Sequence, residues 1–216
     1  MIDPQLESYL NSLYQEEELF VKLRNTHLDF PIAKKETARF LTTILNIAKP
    51  KKVLEIGTCI GFSTMLMAKY IDQIEITTIE RHQMMIDKAK FHFDQYNVGH
   101  KINLIEENAI YALENMQDTY DLIFLDAAKG QYIHFLPHML RILNIGGTMI
   151  SDNLLQNGLI AKDYSLVEKR QRTIYNNMRR FVQAITNTPG LETTIIPLGD
   201  GVGLTVKTKE IDPISF

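Results

Sequence analysis

From residue 52 onward, short apolar runs alternate with amphipathic stretches of about three turns, joined by brief polar links. The runs at 53–56, 74–79, 102–105, 122–125 and 148–150 have the length of buried strands. Between them the spacing predicts helices over 64–70, 84–93, 109–115 and 133–143. Strand and helix alternating in this way imply a parallel sheet covered on both faces. At the end of the chain, the runs 193–197 and 202–207 flank Leu198-Gly199-Asp200-Gly201, an Asp-Gly hairpin signal. Strands joined so tightly are antiparallel. The expected fold is therefore α/β, a mostly parallel seven-stranded sheet with an antiparallel C-terminal strand.

Ahead of this pattern, Leu6, Leu10, Leu13, Tyr14, Phe20 and Leu23 recur at helical spacing around Glu16-Glu17-Glu18, which reads as a solvated face. They predict an amphipathic arm from residue 4 to 23. Pro31 interrupts it, and the link Phe30-Pro31-Ile32-Ala33 is either a plain connection or a cover over a ligand. Ala38, Leu41, Ile44, Leu45 and Ile47 mark a second helix ending before Pro50. The whole reads as one domain, 1–216, with a helical arm over about residues 1–48. Near the other end, residues 157–164 leave the sheet as a loop suited to wall a substrate. A long helix follows, with Leu166, Ile174, Met178, Phe181, Val182 and Ile185 on its buried stripe. Lys169, Arg172, Arg179 and Arg180 gather opposite, with Arg170 at the flank.

Composition narrows the partners. A net charge of −3 argues against a wholesale polyanion binder, so any nucleic-acid contact must be a local patch. No apolar run approaches the roughly 20 residues of a membrane span. One cysteine, Cys59, excludes an internal disulfide, and it reads as a small residue filling a tight turn. With a start lacking a basic and then apolar segment, the expectation is a cytoplasmic protein.

The candidate chemistry lies just after the strands, where ligands of parallel sheets bind. Val53-Leu54-Glu55-Ile56-Gly57-Thr58-Cys59-Ile60-Gly61-Phe62-Ser63 is a strand, a glycine turn and a Ser placed to start the next helix. The turn lacks the G-x-G-x-x-G of a dinucleotide site, which counts against a nicotinamide oxidoreductase. Glu55 beside the turn suits a cationic or zwitterionic ligand, of which S-adenosylmethionine is one. Glu80, a little over 20 residues past the turn, is placed to accept both hydroxyls of a ribose. Asn108 either bonds an adenine edge or caps the next helix. Asp126, Asp152 and Asn153 end neighbouring strands and supply three hard oxygen donors suited to Mg²⁺, with Lys129 near in sequence.

Leu54-Glu55-Ile56-Gly57-Thr58, Ile79-Glu80, Phe124-Leu125-Asp126-Ala127-Ala128-Lys129, Ser151-Asp152-Asn153 and Gly199-Asp200-Gly201 together resemble the metal-dependent class I O-methyltransferases, the catechol and caffeoyl-CoA group. Within it the resemblance is nearest to bacterial tRNA 5-hydroxyuridine methyltransferases, through residues 126–132, 158–165 and the Arg-rich helix. The resemblance implies a Rossmann-like class I methyltransferase fold, and cofactor contacts at Ala33, Glu55, Gly57, Gly61, Ser63, Glu80, Asn108, Ala109 and Asp126. It implies metal ligands at Asp126, Asp152 and Asn153. Two positions depart from the pattern: Asn108 stands where the group often has Asp, and Ala33 where Met is common.

By the same resemblance, Mg²⁺ would chelate two adjacent substrate oxygens and hold the oxyanion in line with the sulfonium methyl of S-adenosylmethionine. Lys129 would then be a general base or an oxyanion stabiliser, sharing the catalytic role with Asp126. The implied substrate is 5-hydroxyuridine in tRNA, methylated to 5-methoxyuridine, or alternatively a small catechol-like compound. Lys169, Arg170, Arg172, Arg179 and Arg180 become candidate RNA contacts. Read from sequence alone, such a basic face is usually just solvated. The resemblance also implies a homodimer.

Overall fold

The computed structural model describes residues 4–27 and 29–211. The first three residues of the expected arm, and the chain start on which the cytoplasmic expectation rests, lie outside the described residues. The arm is two helices rather than one, α1 (Pro4–Ser12) and α2 (Glu18–Thr26), and α3 (Lys35–Ala48) follows. The break falls at the acidic triplet, which is not simply a solvated face. Glu16 pairs with Arg24 at 2.9 Å and Glu17 pairs with Lys69 at 2.5 Å, so the triplet ties the arm to itself and to the body.

The alternating region forms β1 (Lys52–Ile56), α4 (Phe62–Tyr70), β2 (Glu75–Glu80), α5 (Gln83–Gln95), β3 (Ile102–Glu106), α6 (Ala109–Asn115), β4 (Tyr120–Leu125), α7 (Tyr132–Ile142) and β5 (Leu143–Ser151). The chain closes with α8 (Arg172–Asn187), β6 (Leu191–Ile196) and β7 (Val202–Lys207). The sheet has seven strands in the order β3-β2-β1-β4-β5-β7-β6. Pairs among β1 to β5 are parallel, and β7 runs antiparallel to both of its neighbours. Each face carries its own core. Phe20, Leu41, Met65 and Phe93 pack on one side, and Leu136, Met139, Met178 and Phe181 on the other.

The connection from β1 runs to β2 on one side, while β4 pairs on the other, so the strand order reverses at the carboxyl ends of β1 and β4. A crevice opens at such a reversal. Two local expectations are corrected around it. Helix α4 begins at Phe62 with Gly61 as its left-handed cap, so Ser63 lies inside the helix, where its hydroxyl serves Glu55 instead. Helix α8 begins only at Arg172. Lys169 and Arg170 sit in a 3-10 turn before it, and Leu166, in an earlier turn, is 73% exposed rather than on the buried stripe.

Candidate active site

The crevice is a cavity of about 730 Å³ over the carboxyl ends of the parallel strands. Its floor begins at the glycine turn. Gly57 has φ +103°, and its N–H donates to the Ile79 carbonyl at 3.1 Å. A Cβ there would collide with the Asp126 carbonyl oxygen, so glycine lets β1 and β4 end in contact beneath the ligand. Cys59, at φ +50°, turns its N–H to Glu80 Oε2 at 3.0 Å. Burial pushes its thiol up to about 11, which leaves it a packing residue against Met85.

Glu80 ends β2 at the cavity wall. Its other oxygen accepts from the Arg81 and His82 N–H groups, both at 2.9 Å. The carboxylate is thus fixed by backbone donors with lone pairs left over, the state that a ribose diol needs. Asn108 caps α6 through Oδ1, which accepts from Ile110 N at 3.1 Å, yet it also lines the cavity beside Ala109. The capping reading of its sequence position is the one observed, and capping leaves the amide NH₂ over. Pro31, Ile32, Ala33 and Lys34 line the opposite wall, so the link after the arm covers the cavity. Arg24 holds it there, donating to the Ala33 carbonyl at 2.5 Å while stacking 4.4 Å from the Phe62 ring centroid.

Glu55 is a correction. It is fully buried and is not among the residues lining the cavity. Ser63 Oγ donates to it at 2.5 Å, Thr78 Oγ1 at 2.6 Å, and Thr64 Oγ1 bonds it as well. Burial raises its carboxyl to about 7 against the pull of these hydroxyls. Its part is to lock the glycine turn to β2 and α4, reaching the cavity through Ser63 and, by way of Thr78, through Thr58, both of which line it.

At the far end, Asp126, Lys129, Asp152 and Asn153 come together on the cavity wall. Asp126 follows β4 and Asp152 follows β5, and the Asp152 N–H donates to the Leu125 carbonyl at 3.0 Å, which fixes the two strand ends side by side. Asp152 is 2% exposed. Burial first, and the Asp126 charge second, push its carboxyl up to about 6. Lys129 Nζ donates to Asp126 Oδ1 at 2.5 Å and to the Tyr132 hydroxyl at 3.0 Å. Burial works against the ammonium, but the Tyr132 and Asp126 oxygens outweigh it and raise the Lys129 pKa. Tyr132, completely buried, is the residue that the sequence reading missed. Its hydroxyl lies 3.1 and 3.2 Å from the carbonyls of Leu125 and Asp152, a clasp across β4 and β5. The signal was the i+3 spacing from Lys129 at a helix start.

Among the described residues no three His, Cys, Asp or Glu side chains gather as a metal site, so a cation here would rest on two carboxylates and the Asn153 amide. The donors fit a hard cation. Burial and, second to it, the Asp126 charge disfavour the Asp152 carboxylate, which a cation would offset, and the Asn153 side chain makes no hydrogen bond among the described residues.

The basic residues stand elsewhere. Neither Lys169 and Arg170 nor Arg172, Arg179 and Arg180 line the cavity. Arg172 stacks on Tyr164 at 4.9 Å, and Arg179 donates to the Ile160 carbonyl at 3.1 Å and the Tyr175 hydroxyl at 2.9 Å. Two of the five therefore brace the 159–167 segment on α8. That segment does not line the cavity either.

Among the described residues no helix is long and apolar enough to cross a membrane. Residues 8–208 match the sequence model of a family described as O-methyltransferase. A caffeoyl-CoA O-methyltransferase of Populus kitakamiensis is 28% identical over 176 residues, covering 78% of this chain and 75% of its own. A Staphylococcus aureus structure, named as a candidate caffeoyl-CoA O-methyltransferase, superposes with a TM-score of 0.83 at 28% identity, covering 94% of this chain and 97% of its own. A Bacillus cereus O-methyltransferase in complex with SAH superposes at 0.81 and 20% identity, with 94% and 97% covered, and speaks for the fold alone. The chain belongs to the O-methyltransferase family, and with it to the S-adenosylmethionine-dependent O-methyltransferases.

Proposed function

We propose that the chain is a Mg²⁺-dependent O-methyltransferase acting on 5-hydroxyuridine in tRNA. The observation that carries the chemistry is the pairing, in one cavity, of a ribose-type acid, Glu80, with the cluster of Asp126, Lys129, Asp152 and Asn153. S-adenosylmethionine supplies the methyl group, and Mg²⁺, held by Asp126, Asp152 and Asn153, supplies a Lewis acid that favours ionisation of a nearby hydroxyl. Glu80 and Asn108 bind the nucleoside part of the cofactor, and Ala33 and Ser63 lie along the same wall. Lys129, which donates to Asp126 and to the Tyr132 hydroxyl, is placed to stabilise the oxyanion of the substrate or to take its proton.

An RNA substrate is supported by the cations around the cavity. Lys34 and Arg81 line it, and the Lys34 ammonium has no hydrogen bond or ion pair among the described residues. Outside the cavity, Lys169 and Arg170 are exposed ahead of α8, Arg170 paired with Glu168 at 2.8 Å. Apolar residues line it as well, Ile32, Met85, Phe62 and Phe135 among them, as a small phenol needs. The small catechol-like substrate is the alternative. A homodimer is supported by the exposed stripe Leu6, Tyr9, Leu10 and Leu13 on and just after α1, and light scattering tests it.

The deciding experiment is transfer of labelled methyl from S-adenosylmethionine to tRNA carrying 5-hydroxyuridine and, in parallel, to catechol, each with Mg²⁺ or EDTA. Metal-dependent labelling of the tRNA, weakened by raised salt and by Lys34→Ala, is expected. Labelling of catechol alone would replace the RNA reading with the small-molecule one.

A further inference from the structure

Directly after the candidate metal ligands the backbone does something costly. Asn153, Gln156 and Asn157 have φ of +57°, +48° and +52°, and Gly158 follows at +78°. Half of the six non-glycine residues with positive φ in the described chain lie in these few positions. Side-chain-bearing residues avoid that region, and they hold it only where the surroundings over-determine the conformation. Asn153 is itself a proposed ligand, so whatever holds this loop sets where its amide points.

The holder is the hairpin turn between β6 and β7. Leu154 N donates to the Gly201 carbonyl and Leu155 N to the Asp200 carbonyl, both at 2.9 Å. Asn157 N donates to Asp200 Oδ1 at 2.6 Å, which ties down the far end of the left-handed pair. Gly201, at φ +85°, lets the two loops lie flush, because a Cβ there would run into the Leu155 side chain. Leu154 is meanwhile fully buried in the core under α8, so the loop is gripped from both sides. Asp200 does not line the cavity.

We infer that Asp200 is a positioning residue for cation binding: through the Asn157 N–H it clamps residues 153–158 so that Asp152 and Asn153 present their oxygens together. The inference rests on the metal reading proposed above. It differs from a plain charge effect. Asp200 also adds to the negative field on Asp152, and that contribution would vanish in Asp200→Asn whereas the clamp would not.

The test titrates Mn²⁺, followed by its electron paramagnetic resonance signal, into the full chain saturated with S-adenosylhomocysteine. The parent, Asp152→Ala, Asp200→Ala and Asp200→Asn are compared, with S-adenosylhomocysteine affinity and thermal midpoint measured for each. Asp200→Ala is expected to weaken Mn²⁺ roughly 10-fold or more, the scale of lost outer-shell support, while S-adenosylhomocysteine affinity holds. Asp200→Asn, which keeps an acceptor for Asn157, is expected to stay near the parent. Asp200→Ser carries the same prediction as the alanine variant should that one fail to fold. Parent-like Mn²⁺ binding by Asp200→Ala overturns the inference. So does an asparagine variant as weak as the alanine, which would make the role one of charge, or a parallel loss of S-adenosylhomocysteine, which would make it general to the fold. A parent that binds no Mn²⁺, or an Asp152→Ala that binds it equally, overturns the metal reading itself and the clamp with it.

Discussion

At one end of the cavity Glu80 rests on three backbone N–H groups and Glu55 lies sealed beneath three hydroxyls. At the other end Asp126 and Asp152 line the same cavity wall, one lysine rests on Asp126, and burial with the Asp126 charge raises the Asp152 carboxyl. The Glu80 end has its charge already met by backbone donors. The transfer end does not, and its imbalance is what a cation would relieve. Preorganised donors favour a ligand that must be held in one pose, whereas an unbalanced carboxylate pair selects for charge.

The largest expected effect breaks the unbalanced end. Asp152→Ala should lower methyl transfer by more than the roughly 100-fold seen when only outer-shell support is lost, with S-adenosylhomocysteine affinity by calorimetry unchanged. If cofactor affinity falls as steeply as turnover, the two ends are not independent. Next, Glu80→Ala should raise the cofactor Kd roughly 10- to 100-fold, as expected for hydrogen bonds to a charged group, and leave Mn²⁺ binding intact.

The smallest effect concerns stability. Glu55 ionises near 7 in the folded chain against 4.5 as a free side chain, so the unfolded state releases its proton first as pH rises. Folding stability therefore falls between those values and stays lower above them. Glu55→Gln removes that dependence. Its unfolding free energy should gain on the parent's from pH 5 to pH 8, by an amount on the order of 1–3 kcal/mol. A difference flat with pH would mean that the hydroxyls keep Glu55 ionised.

The same contrast governs what the sequence disclosed. Asp126, Asp152 and Asn153 were legible because each ends a strand, and neighbouring parallel strands bring their ends together whatever the details. Glu55 was not, because β1 is apolar on both faces, and Val53, Leu54 and Ile56 leave no alternation from which to read where its acid points. Arm and basic face misled for a related reason. Periodicity marks what can be helical, but the break between α1 and α2 carries ion pairs from Glu16 to Arg24 and from Glu17 to Lys69, the second a partner distant in sequence. Arg172 and Arg179 counted as free charge until Tyr164 and Tyr175 folded under them. Tyr132 and Asp200 act by joining segments that only the fold makes adjacent.

Lys129 carries one more consequence. Its ammonium is a resident counter-ion, tethered to Tyr132 and resting on Asp126, so the chain can fold and wait without a metal. On the metal reading proposed above, loading would displace this ammonium from Asp126 and leave β4 and β5 joined, since the Tyr132 hydroxyl and the Asp152 N–H hold their ends together.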